Sequence, residues 1–407
     1  MAEKMIPINT ALMPAYYKDF HCIMGACQDN CCDDGWKIEF SKKDYLTVKR
    51  AAQSEELKTM VKQSMRRLRE REHNGIYAEF QTNAAGRCAF HTAAGLCALQ
   101  MECGEGALPA VCRQYPRHST YTAAAKEYSL SPSCEGVLAL LWDLPQGIDF
   151  IEEPLHPSEV KSVSPRNKAA ERFAAIRALC IDAIQERSMG LSQRLLLLGL
   201  LLQQLCETDW ESGEALDRWL LRGAAMLHDP AIPAELDKLP KNKQMCLLNN
   251  YKVLALTVKQ GVLRDMRLFE ELRSSVFSVS PDQEEDVVLH LDRYRALEEK
   301  LEDLLDHSEY FFENLMVSIT FMSGIPRLTD PEELWKSYVS LCNLYSFFRF
   351  AAVCAMEKEV SRERLFHTLV VSSRALLHNQ TWRYMLRDKL FENDSATLAH
   401  MAILLGG

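Results

Sequence analysis

Cysteines are concentrated near the N-terminal end of this 407-residue chain. Nine of the fourteen lie in the first 134 residues, and four of these fall within eleven residues: Cys22, Cys27, Cys31 and Cys32. Thiolates placed this close together repel one another unless a metal neutralises them, and soft thiolate ligands suit zinc and iron. The sequence therefore predicts that the first third of the chain folds around a metal centre.

Metal binding is favoured over disulfide formation by the compartment that the sequence indicates. The first residues lack the basic segment followed by an apolar segment that marks a signal peptide. The longest apolar run, residues 195–202, is far shorter than the roughly 20 residues that span a bilayer. We therefore expect a cytoplasmic protein without a transmembrane segment, in which clustered cysteines bind metal or carry out redox chemistry. Buried, inert thiols are the alternative.

Charge is unevenly distributed along the chain, whose formal net charge is −9. Residues 1–150 carry 17 Lys and Arg against 18 Asp and Glu, and residues 151–407 carry 30 against 38. A nucleic-acid partner is not expected, because nothing in this pattern demands a basic binding face. The basic stretch 58–71 is expected to be the solvated side of a helix, since apolar residues recur there at helical spacing.

The proline distribution predicts the fold class. Four prolines mark a polar connector over residues 143–165, followed by proline-free tracts at 166–229, 241–280, 282–325 and 332–407 with helical apolar spacing. We expect a mainly α protein, with a loop-rich cysteine-cluster metal-binding domain over 1–150. An α-helical, bundle-like domain is expected over 165–407, with substrate recognition as its role. Short strands are expected at 36–40, 76–80 and 128–130.

The number of cysteines leaves the type of metal site open. A four-iron cluster needs four thiolates, and a structural zinc site usually needs four ligands. Eight or nine local cysteines would serve one cluster with spare thiols, or two separate sites. Adjacent Cys31 and Cys32 are not expected to face the same metal, and Cys103 is the weakest candidate. His91 is a possible substitute ligand.

Four stretches of the first third together resemble the flagellin lysine N-methylases. They are the opening PAYYKDFHCIMGACQDNCCDDGWKIEFSKKDY, the loop RCAFHTAAGLCALQ, the element LPAVCRQYPRHS and the closing EYSLSPSC. The N-terminal part of that family is related to zinc- or iron-chelating cysteine-cluster domains. The detailed match covers residues 14–134, and the remainder of the chain agrees in length and helical character.

The resemblance implies an enzyme that transfers methyl groups from S-adenosylmethionine (SAM) to lysine side chains of flagellin. It also implies dependence on an iron–sulfur cluster, expected to be of the 4Fe-4S type, with zinc as the alternative metal. Arg113 and Arg117 would either balance thiolate charge or hold the carboxylate of SAM. The metal-ligand roles that the resemblance implies fall on Cys22, Cys27, Cys31, Cys32, Cys88, Cys97, Cys112 and Cys134.

Neither the SAM pocket nor a catalytic base is located by the sequence. The Cys-x3-Cys-x2-Cys triplet of radical SAM enzymes is absent, because Asp34 stands where its third cysteine would be. No glycine-rich turn follows an apolar strand, as a Rossmann methyltransferase would require. Polar methyl transfer needs a lysine that has lost its proton, and Asp33, Asp34, Tyr115 and Glu127 are positional candidates for the base. The alternative function is a non-enzymatic zinc- or iron-binding module that docks a partner protein through its helical domain.

Overall fold

Two compact units make up the chain in this computed structural model. The cysteine unit comprises Phe20–His118 and Cys134–Gly136, and the helical unit comprises Met1–Asp19, Ser119–Ser133 and Val137–Gly407. This division differs from the expected boundary near residue 150, because segments on both sides of the cysteine unit belong to the helical unit. The residues described are 5–32, 38–70, 75–84, 86–259, 265–280, 283–306, 308, 310–378, 388, 391 and 395–406.

The cysteine unit is built on a three-stranded antiparallel sheet. Its strands are β3 (Ile38–Phe40), β4 (Met65–Arg67) and β5 (Ala78–Phe80), in the order β3–β5–β4, and its helices are α1 (Lys42–Ala51), α2 (Glu55–Ser64), α3 (Ala98–Cys103) and α4 (Ala110–Gln114). The strands predicted at 36–40 and 76–80 are confirmed by β3 and β5, although residues 36 and 37 lie outside the described residues. The helix expected through 58–71 ends at Ser64, because the following residues pair with β5.

Side chains from both the sheet and the helices form the core of the cysteine unit. The Phe80 ring contacts those of Phe40 and Phe90, with ring centroids 4.7 Å apart in each pair. Hydroxyl oxygens of Ser41 and Ser54 accept backbone hydrogen bonds at the starts of α1 and α2, the usual way in which such residues stabilise a helix N-terminus. A compact core thus supports the loops that carry the cysteines.

Strands in the helical unit come from distant parts of the chain. They are β1 (Ile6–Ile8), β2 (Thr10–Pro14), β6 (Arg117–Tyr121), β7 (Lys126–Leu130), β8 (Phe150–Pro154), β9 (Lys161–Val163), β10 (Phe277–Ser280) and β11 (Gln283–Leu289). One sheet has the order β6–β7–β2–β8, with β2 parallel to β7 and antiparallel to β8. Strand β9 pairs with β1, so the segment expected to be a connector supplies two strands. The strand predicted at 128–130 is confirmed by β7.

Most of the helical unit is α-helical, which confirms the mainly α prediction. The helices are α5 (Glu135–Trp142), α6 (Lys168–Glu171), α7 (Phe173–Gln185), α8 (Leu191–Glu207), α9 (Gly213–Leu227), α10 (Ile232–Leu236), α11 (Lys243–Lys259), α12 (Met266–Val276), α13 (Leu291–Leu305), α14 (Tyr310–Met322), α15 (Pro331–Ala355), α16 (Arg362–His378) and α17 (Leu398–Leu405). Side chains of Asn167, Ser212, Asp265 and Asp330 accept backbone hydrogen bonds at helix starts. These caps define where four of the helices begin.

The hairpin β10–β11 corrects the expectation that residues 241–325 are helical apart from Pro281. Phe277 pairs with Leu289 and Val279 with Val287, in antiparallel register. Aromatic and β-branched residues favour a strand over a helix. A proline interrupts a helix, so the residues on either side of Pro281 form strands.

Helix α15 is long and apolar enough to cross a membrane, and among the described helices it alone meets both conditions. Its most apolar 18-residue window has a mean hydropathy of 1.3, and 83% of that window is buried inside the structure. A helix that is apolar on all sides and surrounded by protein is typical of the centre of a folded core. Helix α15 is therefore a core helix.

Gly199 provides a test of the packing between α8 and α15. A Cβ atom added there would lie 2.2 Å from Tyr338 Oη and 2.8 Å from Leu398 Cδ1. Gly199→Ala is therefore expected to destabilise the helical unit by about 1–3 kcal/mol or more, because overpacking forces neighbouring side chains to move. Urea unfolding followed by helical circular dichroism measures the change. Gly106→Ala is the control, since its Cβ would meet nothing within 4 Å, and an equal loss in both variants would contradict this packing.

Candidate functional sites

Two loops that carry cysteines are held side by side in the cysteine unit. A Cβ atom on Gly25 would lie 2.8 Å from Ala94 O, and Gly95 has a φ of +73° with its own Cβ position 3.3 Å from Gly25 Cα. Only glycine allows this approach without strain. Asn30 strengthens it, because Nδ2 donates to Gly95 O at 2.7 Å while Oδ1 accepts from Cys32 N at 2.9 Å.

Backbone hydrogen bonds then bring the vicinal cysteines next to the second cysteine loop. Cys88 N donates to Cys32 O at 2.8 Å, and Ala98 N donates to Phe90 O at 2.8 Å. Cys97 is the residue immediately before helix α3. The side chains of Cys88, Cys97 and Cys112 pack against the core of the unit, so three of the predicted ligands project from a rigid base.

Five of the eight predicted ligands interact electrostatically. Hydrogen bonding to Cys31 and then to Cys88 raises the pKa of the Cys32 thiol, and the same bond from Cys32 lowers the pKa of Cys88. Burial raises the pKa of Cys97. Burial first, then the charges of Cys88, Cys31 and Cys97, raise the pKa of Cys112. Hydrogen bonds thus link the Cys32 thiol to those of Cys31 and Cys88, whereas Cys97 and Cys112 are linked to these thiols by charge alone.

Glu135 organises the first cysteine segment, and sequence reasoning did not identify it. One carboxylate oxygen, Oε2, accepts hydrogen bonds from the Cys27 thiol at 3.3 Å, from Gln28 N at 2.8 Å and from Asp29 N at 3.2 Å. Three donors on one oxygen hold this loop in a defined position. The only signal in the sequence was its place directly after Cys134.

The other two predicted ligands have different surroundings. Cys22 is exposed, and its sulfur accepts a hydrogen bond from Met24 N at 3.4 Å. The sulfur of Cys134 lies 3.9 Å from the position that a Cβ atom on Gly136 would occupy. The roles of both residues as ligands stay predictions.

Cys103 is engaged elsewhere in the cysteine unit. Its thiol donates to Ala51 O at 3.2 Å. Burial, and then the charge of Glu102, raises the pKa of this thiol. A hydrogen bond between α3 and α1 is a structural role, in keeping with the low rank that the sequence gave this residue.

Arg113 and Arg117 were predicted to balance thiolate charge or to bind SAM. Arg117 Nη2 donates to Phe20 O at 3.3 Å, and its guanidinium carbon lies 5.0 Å from the centroid of the Phe20 ring. Arg113 is exposed in the last turn of α4. The contacts of Arg117 hold the start of the cysteine unit, and the SAM role of both arginines stays a prediction.

The candidates for a catalytic base have other surroundings. Glu127 is 2% exposed in the helical unit, where its Oε2 lies 3.4 Å from Arg177 Nη1. Burial raises the pKa of its carboxyl group, and the paired arginine indicates a structural role. Asp33 and Asp34 lie outside the described residues, and Tyr115 lies at the C-terminal end of α4.

The donor atoms of the cysteine unit suit a thiophilic metal. In the ranges that the structure describes, no three or more His, Cys, Asp or Glu side chains are arranged to hold a metal ion. The Cys32 thiol instead interacts with those of Cys31 and Cys88. Five neighbouring sulfur donors exceed the four that an iron–sulfur cluster or a structural zinc ion requires. The chemistry of these donors suits such a group, and its coordination by them stays a prediction.

Comparison with known families concerns the helical unit. The sequence model described as the FliB lysine N-methylase C-terminal domain matches residues 177–404, which is more than half of the chain. The chain belongs to the FliB lysine N-methylase family. This confirms the resemblance to flagellin lysine N-methylases, and it does so in a region separate from residues 14–134. Neither a curated protein nor a solved structure matches the chain.

Within the FliB C-terminal domain, the helices enclose a cavity of about 340 Å³. Its lining comes from six helices, and all but one of the lining residues lie in the matched range. Sequence reasoning missed this cavity, because its acidic residues have the spacing of an ordinary solvated helix face. The charged and aromatic lining residues are Glu298, Glu302, Arg349, Tyr294, Phe312 and Tyr345.

Arg349 is anchored at one side of the cavity. Its guanidinium forms an ion pair with Glu302 and lies 5.4 Å from the centroid of the Phe312 ring. Only 19% of the Arg349 side chain is exposed, against 50% of the Glu302 side chain. The guanidinium is thus fixed by an aromatic face and a carboxylate, and its five N–H donors allow it to bind further acceptors.

A similar arrangement occurs at Glu298. Lys243 Nζ lies 2.6 Å from Glu298 Oε2 and 5.3 Å from the centroid of the Tyr294 ring. Side-chain exposure is 25% for Lys243 and 23% for Glu298. Two of the carboxylates and two of the aromatic rings that line the cavity thus each contact a cation, of which Arg349 belongs to the lining.

Asn250 carries an unsatisfied polar atom at the cavity lining. The residue is 1% exposed, and its Nδ2 donates to Ser346 Oγ at 2.9 Å. Its Oδ1 is buried and, among the described residues, has no hydrogen-bond partner. A buried acceptor without a donor costs about 1–3 kcal/mol. An ordered water or a bound molecule would supply the missing donor.

Proposed function

We propose that this protein methylates lysine side chains of flagellin in the cytoplasm, with SAM as methyl donor and with an iron–sulfur cluster bound by cysteines. Membership of the FliB lysine N-methylase family is the observation that carries the proposal. The family name gives the reaction class, and the chemistry of methyl transfer to an amine calls for an activated methyl donor. Flagellin is the partner that the family implies.

The cluster would be held by four of the five interacting cysteines: Cys31, Cys32, Cys88, Cys97 and Cys112. A 4Fe-4S cluster takes four thiolates, so one member of the set would remain outside the coordination sphere. When bound, such a cluster supplies a redox-active centre. The surrounding residues hold the two cysteine loops in place through Gly25, Gly95 and Asn30, as described above.

The methyl transfer conserves atoms and electrons. A bond forms between the lysine nitrogen and the methyl carbon, and the bond from that carbon to the sulfonium sulfur breaks. S-adenosylhomocysteine leaves with the electron pair, and one proton is released from the amine. The lysine must be neutral to attack, so a neighbouring base or a lowered lysine pKa is needed.

Isotope labelling tests the proposed activity. Protein purified without oxygen, incubated with flagellin and with SAM labelled in its methyl group, is expected to place the label on lysine side chains. Arginine in place of a labelled flagellin lysine should abolish the label at that site, because the guanidinium is not a substrate for the reaction. Mass spectrometry of flagellin peptides measures both results. Flagellin that remains unlabelled would favour a metal-binding module that docks a partner protein.

A further inference from the structure

The charged lining of the cavity in the helical unit defines the charge of a complementary ligand. Glu298, Glu302 and Arg349 provide two carboxylates and one guanidinium, and they are the charged side chains among the lining residues. Glu302 is paired with Arg349 and Glu298 with Lys243, so a ligand that replaces these partners carries cationic centres for the carboxylates and a carboxylate for the guanidinium. SAM has this pattern, because its α-ammonium and sulfonium groups are cationic and its amino-acid carboxylate is anionic.

The aromatic lining suits the remaining parts of such a molecule. Tyr294 and Phe312 already have cationic groups, those of Lys243 and Arg349, over their rings. Cations bind favourably to aromatic faces, and a sulfonium is a cation. Tyr345 adds a third ring, and planar rings of this kind stack with a heterocycle such as adenine.

Asn250 gives independent support for a ligand in the cavity. Its buried Oδ1 has no donor among the described residues, as noted above, whereas its Nδ2 is hydrogen-bonded to Ser346. An ammonium or an adenine amino group is a donor that would satisfy this oxygen. The cavity volume of about 340 Å³ also lies within the range of about 300–1,000 Å³ that small-molecule sites show.

We infer that this cavity binds SAM, with Arg349 on the carboxylate, Glu298 and Glu302 on the cationic centres and Asn250 on an amino group. The inference rests on the proposed function, which supplies SAM as the methyl donor. It places the carboxylate at Arg349 in the helical unit, in contrast to the prediction of Arg113 and Arg117. The carboxylates act as binding residues that would also favour the cationic donor over its uncharged thioether product.

Equilibrium dialysis with labelled SAM tests the inference on the full chain, purified without oxygen. Glu298→Gln and Glu302→Gln are each expected to weaken SAM binding about tenfold, because each removes a charge-assisted contact. Glu299→Gln is the matched control, since Glu299 is exposed on the same helix and does not line the cavity. It should bind SAM as the wild type does.

Thermal melting with and without SAM provides a second measurement that also checks folding. Both cavity carboxylates are partly exposed, so their replacement should leave the chain folded. SAM should raise the Tm of the wild type and of Glu299→Gln, with a smaller rise in the two cavity variants.

The outcomes distinguish failure of the cavity assignment from failure of the proposed function. Selective weakening in the cavity variants supports the inference. Wild-type affinity in both cavity variants, or a loss confined to Arg113→Gln and Arg117→Gln, would overturn the cavity as the SAM site and leave SAM-dependent methylation standing. Failure of the wild type to bind SAM would overturn both proposals.

Discussion

Replacement of Cys88 by Ser is expected to remove most of the iron and sulfide from protein purified without oxygen. Cys88 interacts with Cys32, and its charge also affects the pKa values of Cys97 and Cys112. The Cys88 thiol therefore affects the pKa values of three other thiols. Serine is a poor ligand for iron in a thiolate site, so the cluster should be lost. Metal analysis and the absorption spectrum measure the change.

Cys103→Ser is the matched control for this experiment. Cys103 lies in the same unit and packs against the same core, but its thiol donates to Ala51 O at 3.2 Å. A serine hydroxyl can donate in the same way, so the variant should keep its full content of iron and sulfide. Equal loss in both variants would contradict the assignment of Cys88, and stoichiometric zinc without iron would contradict the cluster.

Glu313→Gln is expected to cause the largest loss of stability in the helical unit. The carboxylate is 1% exposed and forms ion pairs with Arg187 at 2.8 Å and with Arg194 at 2.6 Å. Arg194 is itself only 8% exposed, so it would keep a buried charge without its partner. Removal of one partner from a buried ion pair typically costs about 3–5 kcal/mol. Urea unfolding should show a change of this size.

A surface ion pair provides the comparison. Glu214 and Arg218 are one turn apart on α9, with side-chain exposures of 81% and 58%. Glu214→Gln is expected to change the free energy of unfolding by less than about 1 kcal/mol, because exposed pairs are weakened by solvent. Similar losses for Glu313→Gln and Glu214→Gln would show that the buried carboxylate does not have the role described here.

Local patterns explain which parts of the fold could be predicted. Helix formation depends on apolar residues three or four positions apart, so the proline-free tract that contains α8 predicted its helix. The strands at 36–40, 76–80 and 128–130 were found for a similar reason, since each contains β-branched or aromatic residues in a short run. Such signals lie within a few neighbouring residues.

Pairing between distant segments could not be predicted in the same way. Strand β8 pairs with β2, with Ala11 opposite Glu153, across more than a hundred residues. Its sequence, FIEEP, is rich in charge and proline and so suggested a polar connector. The pairing depends on backbone hydrogen bonds that no local composition reveals.

Similar limits apply to the candidate sites. The number and chemistry of the cysteines predicted a metal centre, and the family resemblance implied ligand roles for Cys31, Cys32 and Cys88. The support from Glu135 depends on the folded chain, because this carboxylate contacts residues more than a hundred positions away. The resemblance drew on residues 14–134, whereas the family match covers 177–404.

The most direct test of the account compares methyl transfer with and without the cluster. Wild-type protein with its cluster intact, wild-type protein stripped of metal, Cys88→Ser and Cys103→Ser are each incubated with flagellin and methyl-labelled SAM. Labelled lysine is expected with intact wild type and with Cys103→Ser, and it should be absent with the stripped protein and with Cys88→Ser. Equal labelling by the stripped and intact proteins would contradict a cluster-dependent lysine methylase.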